Sequence, residues 1–257
     1  MNKFDIKNRK GEKVVVIVEG DKNKEGLAFV MHGLGGFMTQ PHIEAMAQAF
    51  LENDYTVVRF DTTNTFGESD GNYEKATTTN YYEDLEDVIK WAEDQIWYQQ
   101  PFCLTGHSLG GICIALFAEN FPTKVKGLAP ISTVVSGQLS QKSPKTNPIL
   151  EEWQKTGWRE EMSSDGKRFK KLPWSHMEDR LKYDLLEKID KLTMPVLLIV
   201  GNQDKHTPVE HQKLLFDQLP GDKEFNVIKD APHTFRTEQD ITEVRNTIKA
   251  WINKKLQ

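Results

Sequence analysis

Short apolar runs alternate with longer segments of helical period along most of the chain, and no other feature restricts its fold as strongly. The apolar runs are Lys13–Val18, Leu27–Met31, Thr56–Phe60, Phe102–Thr105, Gly127–Pro130, Val196–Val200 and Glu224–Ile228. Between and after them, Pro41–Glu52, Asn80–Gln95, Leu109–Asn120, Val209–Gln218 and Glu238–Lys254 read as helices. In Asn80–Gln95, Tyr81, Leu85, Val88, Ile89 and Ala92 recur at helical spacing. Strands that are apolar on both faces, such as Leu27–Met31 and Val196–Val200, require cover on both sides. The pattern predicts an α/β protein whose mostly parallel, doubly wound sheet is flanked by helices. The 257 residues suit one such domain with a modest insertion.

One stretch breaks the rhythm. From Val134 to Ile189 no strand-like run is evident, and the composition turns polar and aromatic, with Trp153, Trp158, Trp174, Phe169 and Tyr183. So long a structureless loop is foreign to a compact domain, and Ile149–Lys155 and His176–Leu186 have helical character. The expected organisation is a core in two parts, 1–132 and 191–257, with a small helical cap at 133–190 inserted after the sixth strand. Two readings of the insert stand side by side. It is a decorative addition packed by its own tryptophans, or a lid over a site at the carboxyl edge of the sheet, where ligands bind in open α/β sheets. On the lid reading, Trp153, Trp158 and Trp174 border the substrate pocket together with His32 and His107.

The segment Thr105-Gly106-His107-Ser108-Leu109-Gly110-Gly111 follows one apolar run and opens another of helical length. A Gly-x-Ser-x-Gly at a strand-to-helix turn lifts a serine hydroxyl clear of the sheet on a strained backbone. Gly106 and Gly110 remove the side chains that would collide across the turn. The following helix aims its first N–H groups at the site, which suits a developing oxyanion. A second glycine loop, His32-Gly33-Leu34-Gly35-Gly36, follows the strand at Leu27. Stabilising a tetrahedral oxygen takes two N–H donors, and Leu109 and Leu34 are the candidates. A phosphate-binding turn is the weaker alternative, because Gly33-x-Gly35-Gly36 lacks the dinucleotide spacing.

A serine nucleophile needs a base, and the base needs a carboxylate to orient it. On a strand-turn-helix scaffold of this kind the order is serine, acid, histidine. Asp204 follows the strand ending at Val200, and His233 follows the last strand in the same way. Asp230 is only three residues before His233, and Asp61 violates the order, so both rank below Asp204. His206 competes with His233 from an awkward position beside the acid. His32 and His107 are expected to brace their loops, while His42, His176 and His211 are expected on the surface or in the lid.

The balance of 33 basic and 38 acidic residues, net −5, offers no pull on nucleic acid or anionic lipid. Neither Val14–Val18 nor Pro195–Val200 approaches the ~20 apolar residues of a membrane span. Met1–Lys7 has no apolar signal core. Two cysteines, Cys103 and Cys113, make no disulfide framework, and the seven histidines show no metal-ligand spacing. The expectation is a cytoplasmic protein acting on a small molecule, without metal or organic cofactor; oligomeric state is not encoded legibly.

With these motifs in place, the chain resembles the α/β-hydrolase superfamily. More narrowly it is similar to serine esterases of the cinnamoyl/feruloyl and monoglyceride-lipase-like group, often labelled serine aminopeptidase-like. The resemblance covers both core segments. It implies the α/β-hydrolase fold with a cap shaping the acyl pocket, catalytic Ser108, Asp204 and His233, and no cofactor. The chain departs from its relatives after the fourth strand. There they carry a Gly-x-Gly-x-Ser loop, and Asp61–Gly71 lacks the first glycine and is longer. The expected activity is hydrolysis of a carboxylic ester through an acyl-enzyme, with an apolar or aromatic acyl group suggested by the tryptophans. A thioesterase or small-peptide hydrolase would use the same triad, and a non-catalytic ligand-binding protein on this fold is the alternative from another class.

Overall fold

The computed structural model describes residues 1–20, 26–163, 166 and 168–256; residue 257, the expected end of the second core segment, lies outside them. The first part of the chain runs β1 (Asn2–Lys7), β2 (Lys13–Glu19), β3 (Gly26–Met31), α1 (Pro41–Leu51), β4 (Tyr55–Asp61), α2 (Thr78–Ala92), β5 (Phe102–His107), α3 (Leu109–Asn120) and β6 (Val125–Ile131). An insert follows, comprising α4 (Gly137–Lys142), α5 (Leu150–Thr156), β7 (Trp158–Met162), β8 (Phe169–Pro173) and α6 (Trp174–Arg180). The chain then returns through β9 (Val196–Gly201), α7 (Val209–Gln218), β10 (Lys223–Ile228) and α8 (Glu238–Lys255). Eight strands form one sheet in the order β1-β2-β4-β3-β5-β6-β9-β10. β2 pairs antiparallel with β1 and β4, and the remaining neighbours are parallel.

Each face of this sheet carries its own apolar core. On one face Leu85 and Val88 of α2 and Ile112 and Phe117 of α3 pack with Phe29, Phe60 and Leu104 of the strands. On the other, Ile43 and Phe50 of α1 meet Val244, Ile248 and Trp251 of α8 over Val30, Cys103 and Ile199. Double cover explains why every residue of β3, β4, β5 and β9 is buried. Helix starts follow local chemistry. Pro41 occupies the first turn of α1, and Thr237 and Asp240 form a reciprocal capping box on α8. Trp251 stands so close to β6 that a methyl group at Gly127 would approach its ring to 2.9 Å.

The fold departs from the sequence expectation at β1 and within the insert. β1 was not foreseen, because only Phe4 and Ile6 of its six residues turn inward; Phe4 packs on the ring of Trp91 at 5.2 Å. The insert is not purely helical either: β7 and β8 form an antiparallel hairpin. Its cross-strand partners include Glu160 with Lys171 and Glu161 with Lys170. Opposite charges, rather than alternating apolar residues, join these strands, so they leave no hydrophobic period to read. The insert is tied to α2, where Asp179 accepts from the Thr79 backbone N–H (2.9 Å) and hydroxyl (2.6 Å). Among the described residues no helix is long and apolar enough to cross a membrane.

The C-terminal ends of β5, β6 and β9 and the turn after β10 open on the same edge of the sheet, beneath the insert. Because Trp251 anchors one whole face, Trp251→Ala is expected to lower unfolding free energy by about 3–5 kcal/mol in urea denaturation, and a loss below about 1 kcal/mol would show that this face can repack without it.

Candidate active site

Ser108 sits between the last residue of β5 and the first of α3 with φ 56° and ψ −112°. A non-glycine residue pays for such a conformation, and hydrogen bonds hold it there. Its N–H donates to Ile131 O of β6 (3.0 Å), while its carbonyl accepts from Val134 (3.2 Å) and Ile112 (3.3 Å). The flanking glycines permit the close approaches around it. A side chain at Gly106 would meet the carbonyl of Gly110 at 2.7 Å, one at Gly110 would strike the carbonyl of His32, and one at Gly33 would reach the Ser108 Cβ at 3.0 Å. The glycine loop after β3 therefore lies directly against the serine.

That loop is braced from three sides. His32 is buried and does not line the cavity. Its Nε2 accepts from the Thr62 N–H (3.1 Å), so its Nδ1–H faces the Gly33 carbonyl at 2.8 Å. Burial lowers its pKa and keeps it neutral in that tautomer. Tyr81 Oη of α2 accepts the Gly35 N–H (3.2 Å), with Gly35 itself at φ 63°, and Thr65 Oγ1 donates to Gly36 O. Neither the Leu34 nor the Leu109 N–H meets an acceptor among the described residues, so both donors remain available beside Ser108.

The other two candidates arrive from distant strands. His233, in the turn after β10, places Nε2 2.9 Å from Ser108 Oγ and Nδ1 2.8 Å from Asp204 Oδ2. Asp204, just past β9, is buried; its Oδ1 accepts the N–H groups of His206 (2.8 Å) and Thr207 (2.9 Å). The Thr207 hydroxyl lies 2.8 Å from Asp204 Oδ2 and 2.9 Å from Ser132 O. Burial alone would raise the Asp204 pKa. The imidazole of His233 and these N–H and O–H donors outweigh it and hold the carboxyl well below the usual range.

The rival residues have separate tasks. His206 stacks on His233 at 4.6 Å and does not replace it; burial and the neighbouring imidazole depress its pKa. Asp61 accepts from the N–H groups of Met38 and Glu68 (2.7 Å each), bracing the long loop after β4. His107 lines the cavity and its Nε2 holds the carbonyl of His233 at 2.7 Å. His42, expected on the surface or in the lid, is buried on α1 with its ring 4.7 Å from that of His107. His176 does belong to the insert but is fully buried, its Nδ1 on Ala76 O at 2.7 Å. His211, on α7, is partly exposed.

A cavity of ≈ 240 Å³ opens over Ser108, roofed by the insert. The three tryptophans expected around it are not part of its lining. Trp153 is buried in a cluster where Leu172 and Met177 of the insert meet Tyr73 of the core, its Nε1–H on Leu172 O at 3.1 Å. Trp174 packs edge-on to it at 5.5 Å. Trp158 is 39% exposed on the hairpin, under Lys171. Trp153 and Trp174 build a small core and Trp158 faces outward, so the three give no ground for an apolar or aromatic acyl pocket. The insert lines the cavity instead with Lys145, Arg159, Glu161, Met162, Lys170 and Arg180. None of these was singled out from the sequence, because charged residues in an aperiodic insert read as ordinary surface. Thr207 was missed too; its spacing of three from Asp204 is the signal of a turn that caps its own carboxylate. Among the described residues, no cluster of three or more His, Cys, Asp or Glu is arranged to hold a metal ion.

Comparison with known proteins places this geometry in context. Est1E from Butyrivibrio proteoclasticus, solved with ferulic acid bound, superposes with a TM-score of 0.81 at 22% identity, covering 98% of this chain and 99% of that one. The α/β hydrolase domain-containing protein 10 from mouse gives 0.80 at 23%, covering 99% of each chain. In sequence the chain is 28% identical to an uncharacterized 31.7 kDa Escherichia coli protein, over 82% of this chain and 84% of that one. It is 24% identical to the mouse mitochondrial palmitoyl-protein thioesterase ABHD10, over 87% and 72%. The profile of the prolyl oligopeptidase family matches residues 41–257. A sheet of this order, carrying a serine at the β5–α3 turn and matched by that profile over most of its length, makes the chain a member of the prolyl oligopeptidase family within the α/β-hydrolase superfamily.

Proposed function

We propose that the chain is a serine hydrolase that cleaves carboxylic esters through an acyl-enzyme. The observation that carries this reading is the continuous chain of contacts from Ser108 Oγ through His233 to the buried Asp204, at 2.9 and 2.8 Å. His233 Nε2 takes the Ser108 proton as Oγ adds to the ester carbonyl, and Asp204 keeps the other imidazole proton on Nδ1. The N–H groups of Leu34 and Leu109 receive the negative charge on the tetrahedral oxygen, each worth about 3 kcal/mol of barrier. The imidazolium protonates the departing alkoxide, and Ser108 keeps the acyl group. Water then gives its proton to His233 and attacks, and the acid leaves as Ser108 is reprotonated.

Thioesters are the second substrate class to consider, because the mouse relative is named a palmitoyl-protein thioesterase. The polar lining of the cavity here favours a short or charged acyl group over a long hydrocarbon chain.

Ser108→Ala should lower ester turnover by on the order of 10⁴-fold or more while leaving the far-ultraviolet circular dichroism unchanged. Turnover retained in a folded Ala variant would remove Ser108 from the mechanism. Asp204→Asn should cost about 10³- to 10⁴-fold in kcat/KM by losing control of the imidazole tautomer. The acid also sets a pH dependence of stability. A carboxyl held low in the folded state stabilises the fold above its unfolded value, and that stabilisation disappears as pH falls below about 4. The melting temperature of the wild type should therefore drop more steeply below about pH 4 than that of Asp204→Asn; parallel acid profiles would contradict the carboxylate's role.

A further inference from the structure

The cavity over Ser108 is positively charged inside a chain whose net charge is −5. Among the described residues its lining holds the cations Lys145, Arg159, Lys170 and Arg180 and one carboxylate, Glu161. Glu161 is already engaged, 2.7 Å from Arg159 and 3.5 Å from Lys145. Burial would raise its pKa, but the Arg159 guanidinium keeps it below the ordinary value, so it stays charged and committed.

Arg180 is the sharpest imbalance. Among the described residues no carboxylate pairs with it: its neighbour Asp179 serves Thr79 and Lys182. Among the described residues the hydrogen-bond partner of its guanidinium is His176 Nε2, 2.7 Å from Nη2. That imidazole is neutral, since burial and the arginine itself push its pKa well down. Among the described residues the buried Nε–H of Arg180 meets no acceptor, and neither does the Nε–H of Arg159, whose guanidinium lies 5.6 Å from the centre of the Trp153 ring. Desolvation and the charge of Arg159 pull the Arg180 pKa down to about 10, leaving it charged at neutral pH. A charged group placed this way costs stability unless something compensates it. Two guanidinium groups with unused donors, facing a cavity beside a nucleophile, present planar forks suited to an oxyanion.

Resting on the esterase reading above, we propose that the ester hydrolysed at Ser108 carries an oxyanionic group, carboxylate or phosphoryl, received by Arg180 and Arg159 in an anion subsite under the insert. Lys145 and Lys170 add attraction from the same walls. The insert thus selects the substrate by charge, and Trp153 positions Arg159 rather than contacting the acyl group.

Matched ester pairs test this on the purified full chain. The mono-4-nitrophenyl ester of adipic acid is compared with 4-nitrophenyl hexanoate, and the acetate ester of glycerol 3-phosphate with glycerol monoacetate. The charged member of at least one pair is expected to have the higher kcat/KM by about 10- to 100-fold. A preference in the first pair identifies a carboxylate on the acyl side, and in the second a phosphoryl on the alcohol side. Arg180→Met should bring the charged-to-neutral ratio toward one, and Arg159→Met should do the same where the Arg180 variant fails to fold. Free adipate or inorganic phosphate should also inhibit hexanoate ester turnover competitively in the wild type. Equal kcat/KM within both pairs, or a ratio untouched by a folded arginine variant, overturns the anion subsite and leaves the esterase reading standing. Ser108→Ala with turnover of any of the four esters intact overturns the esterase reading instead.

Discussion

The backbone of Ser108 is the constraint on which the rest of the site depends. At φ 56° the residue stores strain of about 1–3 kcal/mol, and only the surrounding contacts keep it there. Its N–H is held by the end of β6, and its carbonyl is shared by α3 and the first residues of the insert. Relaxing that turn would move the hydroxyl off His233, displace the first N–H of α3, and loosen the loop that packs on it through Gly33 and Gly110. Glycine at these positions is therefore a matter of backbone meeting backbone, since any side chain would force apart two segments that must touch.

Burial divides the histidines by role. His32, His42, His107 and His206 crowd the site, yet desolvation depresses the pKa of each, so they add packing and hydrogen bonds without adding charge. His233 differs because it has a carboxylate on one nitrogen and the serine on the other. Asp204 is buried but surrounded by donors, which lets it remain ionised where a bare carboxylate would take up a proton. The site thus has one aligned chain of hydrogen bonds inside a shell of neutral imidazoles, and cations of the insert lie overhead.

The core strands and helices were legible in the chain because two-sided burial and helical period leave strong marks on sequence. β1 and the β7–β8 hairpin were not, since β1 turns few apolar residues inward and the hairpin is joined by Glu160, Glu161, Lys170 and Lys171. The roles of the insert's tryptophans were equally hidden. An indole that lines a pocket and one that fills a small core look alike until its neighbours are known, and Trp153 has Leu172, Met177 and Tyr73 around it.

Local chemistry named Ser108 with its glycines, the loop at Gly33, and Asp204 and His233 as residues following strands. Such turns are dictated by steric and hydrogen-bonding rules that act within a few residues, so they can be read along the chain. That His233 rather than His206 faces the hydroxyl, that Asp61 braces a loop, and that Arg159 and Arg180 converge on the cavity depends on contacts between segments far apart in the chain. Packing of the whole sheet and its insert decides those distances, and no short-range pattern carries that information.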